Sequence, residues 1–174
     1  MAFVRYQSFL AAILALVLAA CSGVNNLHRV DDKVWRSGQP TAEGFDQVEQ
    51  EKRIQRVLNL RFFHSDDRLA PDWERHHVRM NAGTVGDDEI FEALRVLTTG
   101  DGPTLVHCLH GSDRTGVVIA AYRMVVQGWS RDRAMEEFTD PEYGYHEFWY
   151  PNLEKYLQEF DIEGMRRRLR DADA

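Results

Sequence analysis

Residues 104–116 read Thr-Leu-Val-His-Cys-Leu-His-Gly-Ser-Asp-Arg-Thr-Gly. Thr104 to His107 is a short, largely apolar run of the kind that fills a central strand. Gly100-Asp101-Gly102-Pro103, just ahead of it, is a strong turn. Residues 115–127 (TGVVIAAYRMVVQ) are apolar nearly all round, which predicts a helix buried in the middle of a domain. Gly128 ends that helix. A cysteine, Cys108, thus leaves a buried strand, and an arginine, Arg114, follows six positions later at the first turn of a buried helix. A loop of this length can point successive backbone N–H groups inward and form an anion nest floored by the helix N-terminus.

That geometry has a chemistry. The helix end carries roughly half a positive charge. The planar fork of Arg114 can hold two oxygens of a phosphate at once, which a lysine cannot do. The same field favours the thiolate of Cys108, the nucleophilic form of a cysteine. In-line attack on a bound phosphate and a phosphocysteine intermediate are the natural reaction. The predicted phosphate-binding residues are Leu109, His110, Gly111, Ser112, Asp113, Arg114 and Thr115, with Thr115 placed to donate to the thiolate. No metal and no organic cofactor are required. His64, His76 and His77 lack ligand spacing. His107 is read as support for the cysteine through a bond to backbone, and His110 as facing substrate or solvent.

Outward from the loop, Lys33–Arg36 and Arg56–Arg61 read as strands and residues 42–52 as a charged helix with Phe45 and Val48 on one face. Pro71 is expected to open a short helix reaching about His76, and Val78–Met80 to form a short strand. Asp87 precedes EIFEALRVL, whose apolar spacing fits one helical face. Ser130 caps a further helix, and two or three helices fill residues 131–170. Strands alternating with helices predict an α/β fold with a central, mostly parallel sheet flanked by helices. Ligands in such sheets bind at the carboxyl ends of the strands, where Cys108 lies.

The chain has 174 residues, enough for one domain, and a formal net charge of -7, which argues against nucleic acid as a partner. Its two cysteines, Cys21 and Cys108, cannot build a disulfide framework. Phe9–Ala20 is an apolar run of signal-peptide length, and Leu18-Ala19-Ala20-Cys21 resembles the bacterial lipobox. Residues 1–20 are therefore expected to be a signal peptide and Cys21 a lipidation site. Residues 21–32 are expected to be a tether and residues 33–174 the folded domain. The expected location is extracytoplasmic and periplasmic, the monomeric protein being held by lipid at a bacterial membrane, with the outer membrane favoured.

His107-Cys108-x5-Arg114-Thr115-Gly116 resembles the signature of the protein tyrosine phosphatase superfamily in its dual-specificity branch. Val34-Trp35-Arg36-Ser37-Gly38-Gln39-Pro40 resembles the opening strand and turn of its atypical bacterial, fungal and plant members. The resemblance implies a dual-specificity phosphatase-like fold and a cysteine-dependent phosphomonoester hydrolase. The substrate is then a phosphorylated protein, phosphotyrosine first, or a small phosphomonoester. A phosphoinositide or inositol phosphate phosphatase is the alternative, and a non-catalytic phosphate-binding module another. The family's usual general acid is an aspartate before the preceding helix, a position that falls here near Gly83. Asp113, inside the loop, is the preferred replacement. Asp87, which would equally serve as a helix N-cap, and the pair Asp66 and Asp67 are the alternatives.

Overall fold

The computed structural model describes residues 23–172; the expected signal peptide and Cys21 lie outside them. The strands are β1 (His28–Arg29), β2 (Val34–Ser37), β3 (Arg56–Asn59), β4 (Glu74–His77) and β5 (Thr104–His107). They form one sheet in the order β1-β2-β5-β3-β4. Only the β1–β2 pair is antiparallel. The helices are α1 (Ala42–Lys52), α2 (Asp87–Thr98), α3 (Asp113–Val125), α4 (Arg131–Thr139), α5 (Asn152–Glu159) and α6 (Ile162–Ala172).

Alternate strand residues point to opposite faces, and the two faces carry separate cores. Val57 and Leu105 pack with Phe45 and Val48 of α1 and with Ile54 and Trp73. Leu58 and Val106 pack on the other side with α2, α3, α5 and Met165 of α6. Helix α3 lies at the centre of this larger core and is buried from Thr115 to Val125. Its C-terminal carbonyls would be stranded there. Arg166 of α6 satisfies two of them, donating to Met124 (2.6 Å) and Val125 (3.0 Å). The arginine-rich 165–170 run thus closes the end of the central helix.

Three expectations are corrected. Residues 24–32 are not a free tether: Val24 is buried in the α1 core, and His28–Arg29 pair with Arg36 and Trp35. The segment Pro71–His76 is not a helix. Glu74–His77 pairs in parallel with Arg56–Asn59 as an edge strand, while Val78–Met80 lies beyond it. Pairing satisfies the backbone of four polar residues, and Arg75 folds the preceding turn by donating to the carbonyls of Ala70, Pro71 and Trp73. The N-cap of α2 is Gly86, and Asp87 is its first residue.

Gly116 lets α3 approach α4. A Cβ there would stand 2.9 Å from Cε2 of the buried Phe138. Gly116→Ala is expected to destabilise the fold by about 1–3 kcal/mol through overpacking. Urea unfolding measures this, and adding Phe138→Leu should recover part of the loss; no recovery would refute the packing account.

Candidate active site

The loop 108–112 joins β5 to α3, and its carbonyls all point away from its hollow. The Cys108 carbonyl faces His107 Nδ1 at 3.1 Å. The Leu109 carbonyl accepts from the backbone of Gln39 (3.0 Å). That of His110 accepts from Asn26 Nδ2 (3.1 Å) and that of Gly111 from Arg36 (2.9 Å). The Ser112 carbonyl accepts from Gly116 within the helix (2.8 Å). With the carbonyls held outside, the backbone N–H groups of Leu109, His110, Ser112, Asp113 and Arg114 donate to no acceptor among the described residues. Gly111 takes φ +79, and a Cβ there would stand 2.6 Å from the Gly38 nitrogen, so the loop and the end of β2 can meet only at glycine. Arg36 is fully buried with its guanidinium 4.2 Å from the centre of the Tyr143 ring. Burial pulls its pKa down to about 10, which leaves it charged at neutral pH.

Cys108 is buried at the base of the loop, where its Sγ accepts from the Gly111 N–H at 3.3 Å. The Arg114 side chain forms no hydrogen bond or ion pair among the described residues. It lines two adjoining cavities. One, of about 320 Å³, is walled by Phe62, Phe63, Met80, Leu109 and Tyr150, with Arg61 and His64 at its polar side. The other, of about 250 Å³, is bounded by His110, Asp113, His146 and Trp149. The Thr115 hydroxyl is buried without a hydrogen-bond partner among the described residues. An unpaired guanidinium, inward N–H groups and a cysteine sulfur beneath them form a receptacle for a tetrahedral oxyanion.

The profile of the Tyrosine phosphatase family matches residues 24–172. The chain belongs to the tyrosine phosphatase family. It is 33% identical over 159 residues to the dual specificity protein phosphatase TpbA of Pseudomonas aeruginosa, the match covering 85% of this chain and 68% of that protein. A crystal structure of a Cys-to-Ser variant of TpbA in complex with pTyr superimposes with a TM-score of 0.73 at 29% identity, covering 86% of this chain and 96% of that one. An inositol diphosphatase of Arabidopsis thaliana is 27% identical over 165 residues, 83% of this chain and 74% of its own. The chain is accordingly a cysteine-based phosphatase of the tyrosine and dual-specificity class, with the α/β fold expected of it.

Of the four candidate acids in this phosphatase, only Asp113 borders a cavity that Arg114 lines. Its side chain is 8% exposed, and Oδ1 accepts from the His146 backbone N–H (2.9 Å), with His146 Nδ1 at 3.0 Å from Oδ2. Asp87 accepts from the Tyr156 hydroxyl (2.7 Å) on the surface of α2. Asp67 is exposed beside Ser65 and Arg75. Asp66 is buried beneath the loop, where Oδ2 lies 2.8 Å from His107 Nε2 and Oδ1 accepts from Gln39 (2.9 Å). The aromatic cluster of 143–150 divides. Tyr143 and Tyr145 pack on Arg36 and Phe138. Tyr150 and Trp149 instead line the cavities. Asn26 and His146 escaped the sequence reading, because nothing near them marks a bond to residues 84 and 33 positions away.

Burial raises the pKa of Asp66, but hydrogen bonds and charge from His107, with help from Gln39 and Asn59, carry it below the ordinary carboxylate value. The stability this provides is complete above the unfolded pKa of about 4 and is lost as pH falls through the lower folded value. Asp66→Asn should cost about 1–3 kcal/mol at neutral pH. Wild-type stability should then fall more steeply than that of the variant below about pH 4. Urea unfolding across that range measures both, and parallel curves would refute the assignment.

Proposed function

We propose that this chain is a lipid-anchored, extracytoplasmic phosphotyrosine phosphatase in which Cys108 is the nucleophile and Asp113 the general acid. The observation that carries it is Arg114, unpaired above the inward N–H groups of the loop that cradles Cys108. The phosphate oxygens take those N–H groups and the Arg114 fork. The Cys108 thiolate attacks phosphorus in line; the S–P bond forms as the bond to the leaving oxygen breaks, and Asp113 gives that oxygen its proton. Water then attacks the phosphocysteine, Asp113 takes its proton, and the thiolate leaves with the otherwise unpartnered Thr115 hydroxyl as donor. The cavity walled by Phe62, Phe63, Met80 and Tyr150 suits an aryl ring beside Arg114, and the similar TpbA variant was crystallised with pTyr.

Arg61 and His64 in the same cavity favour a second reading, an inositol phosphate with more than one phosphate, the chemistry named for the Arabidopsis relative. Comparing kcat/KM on a phosphotyrosine peptide and on an inositol polyphosphate separates the two.

Cys108→Ser should abolish hydrolysis of phenyl phosphate and p-nitrophenyl phosphate alike. Asp113→Asn should lower kcat on phenyl phosphate by about 10²–10⁴-fold and much less on p-nitrophenyl phosphate, whose leaving group needs little protonation. Equal losses on both would mean that Asp113 only shapes the loop. Anchoring at Cys21 is supported by the lipobox-like Leu18-Ala19-Ala20-Cys21. Cys21→Ser should move the protein from the membrane pellet to the soluble fraction, and retention in the pellet would refute the anchor.

A further inference from the structure

Beside the phosphate receptacle, three potential ligands converge from distant parts of the chain. His110 comes from the loop, Asp113 from the first turn of α3, and His146 from the segment after α4. One ligand atom from each lies within 4.8 Å of the other two. No other group of three His, Cys, Asp or Glu side chains meets this condition among the described residues. The His146 and Asp113 atoms are 3.0 Å apart, close to the edge of about 3.3 Å that a tetrahedron with Zn–N and Zn–O bonds of about 2.0–2.1 Å requires. The two imidazoles meet edge to face, with ring centroids 5.4 Å apart. No hydrogen bond fixes the His110 ring: its nitrogens have no hydrogen-bond partner among the described residues, and it is exposed. A small rotation brings it to coordination distance. Asp113 is buried and fixed by the His146 backbone N–H, so one ligand is set by the fold while both histidines remain accessible.

We propose that His110, Asp113 and His146 bind a divalent transition-metal ion of the zinc class. Two imidazoles and one carboxylate are the donor set of many such sites, and the cavity side leaves a fourth position open to water or an anion. Calcium and magnesium, which want several oxygen ligands, are excluded by this set. The ion acts as an inhibitor. Coordination occupies the Asp113 carboxylate, which then carries no proton to the leaving oxygen, and holds His110 across the approach to Arg114. This consequence for activity rests on the phosphatase reading; the binding itself does not.

The test is therefore made first on binding, with protein carrying Cys21→Ser and Cys108→Ser so that no thiolate can capture the metal. Calorimetric titration with zinc chloride should give one ion per chain. Adding His110→Ala, His146→Gln or Asp113→Asn should each weaken binding by at least about tenfold. His110 is exposed, so its replacement leaves the fold intact, as an unchanged unfolding midpoint checks. Cobalt in place of zinc should show visible bands of nitrogen and oxygen ligation without a sulfur charge-transfer band. Affinity indifferent to all three substitutions, or binding that needs Cys108, overturns the proposal. With wild-type enzyme, zinc should inhibit hydrolysis reversibly, chelator restoring it. Zinc bound at the three residues without inhibition would overturn the inhibitory role and leave the site.

Discussion

The outward orientation of the carbonyls in the loop 108–112 is the constraint on which the rest of the structure depends. A backbone turn has no reason of its own to face all its N–H groups one way, and inward N–H groups without protein acceptors are costly unless something holds them. Here the holders come from far away. Asn26 grips His110, Arg36 grips Gly111, and the Gln39 backbone grips Leu109. All three lie within residues 26–39, from just before β1 to the turn after β2, which explains why β2 must sit directly beside β5 in the sheet. It also explains why the N-terminal segment belongs to the domain: without residues 24–32 the His110 carbonyl loses its donor.

Arg36 shows how far the fold goes to keep this arrangement. A guanidinium with almost no exposure is expensive to bury, and its Nε has no hydrogen-bond partner among the described residues. Its charge rests against the Tyr143 ring and its one good bond goes to the Gly111 carbonyl. A neutral apolar residue would serve the core better. The cation is retained beneath a loop that must receive a dianion, so its field adds to those of Arg114 and the α3 N-terminus.

Much of this was legible in the sequence because the informative residues are neighbours. Strand, cysteine, glycine, arginine and buried helix follow one another within residues 104–127, and local periodicity reads them correctly. The failures share the opposite property. β4 consists of Glu-Arg-His-His, with no apolar alternation, and is a strand only because β3 offers it a partner. β1 is two residues long in a polar stretch. The contacts of Asn26 with the loop, of His146 with Asp113 and of Asp66 with His107 span 84, 33 and 41 positions. Side chains that pair across such distances carry no mark in their own neighbourhoods. Asp66 lies after a strand end, as its sequence position indicates, but its partner His107 is invisible in the sequence.

Two carboxylate–imidazole pairs flank the loop, one on each side, and burial separates their roles. In the lower pair, His107 and Asp66 side chains are 0% and 2% exposed. Each imidazole nitrogen faces an acceptor and each carboxylate oxygen has a partner. No atom is left over for substrate, so the pair can only brace the carbonyl of Cys108 and the loop after β3. In the upper pair, His146 is 40% exposed and Asp113 borders the cavity that Arg114 lines. The same chemical partners then have surface left for a proton, a substrate oxygen or a metal ion. Chemistry at this site therefore lies in the pair that the fold leaves incompletely enclosed, and the enclosed pair supplies the rigidity that makes the open one useful.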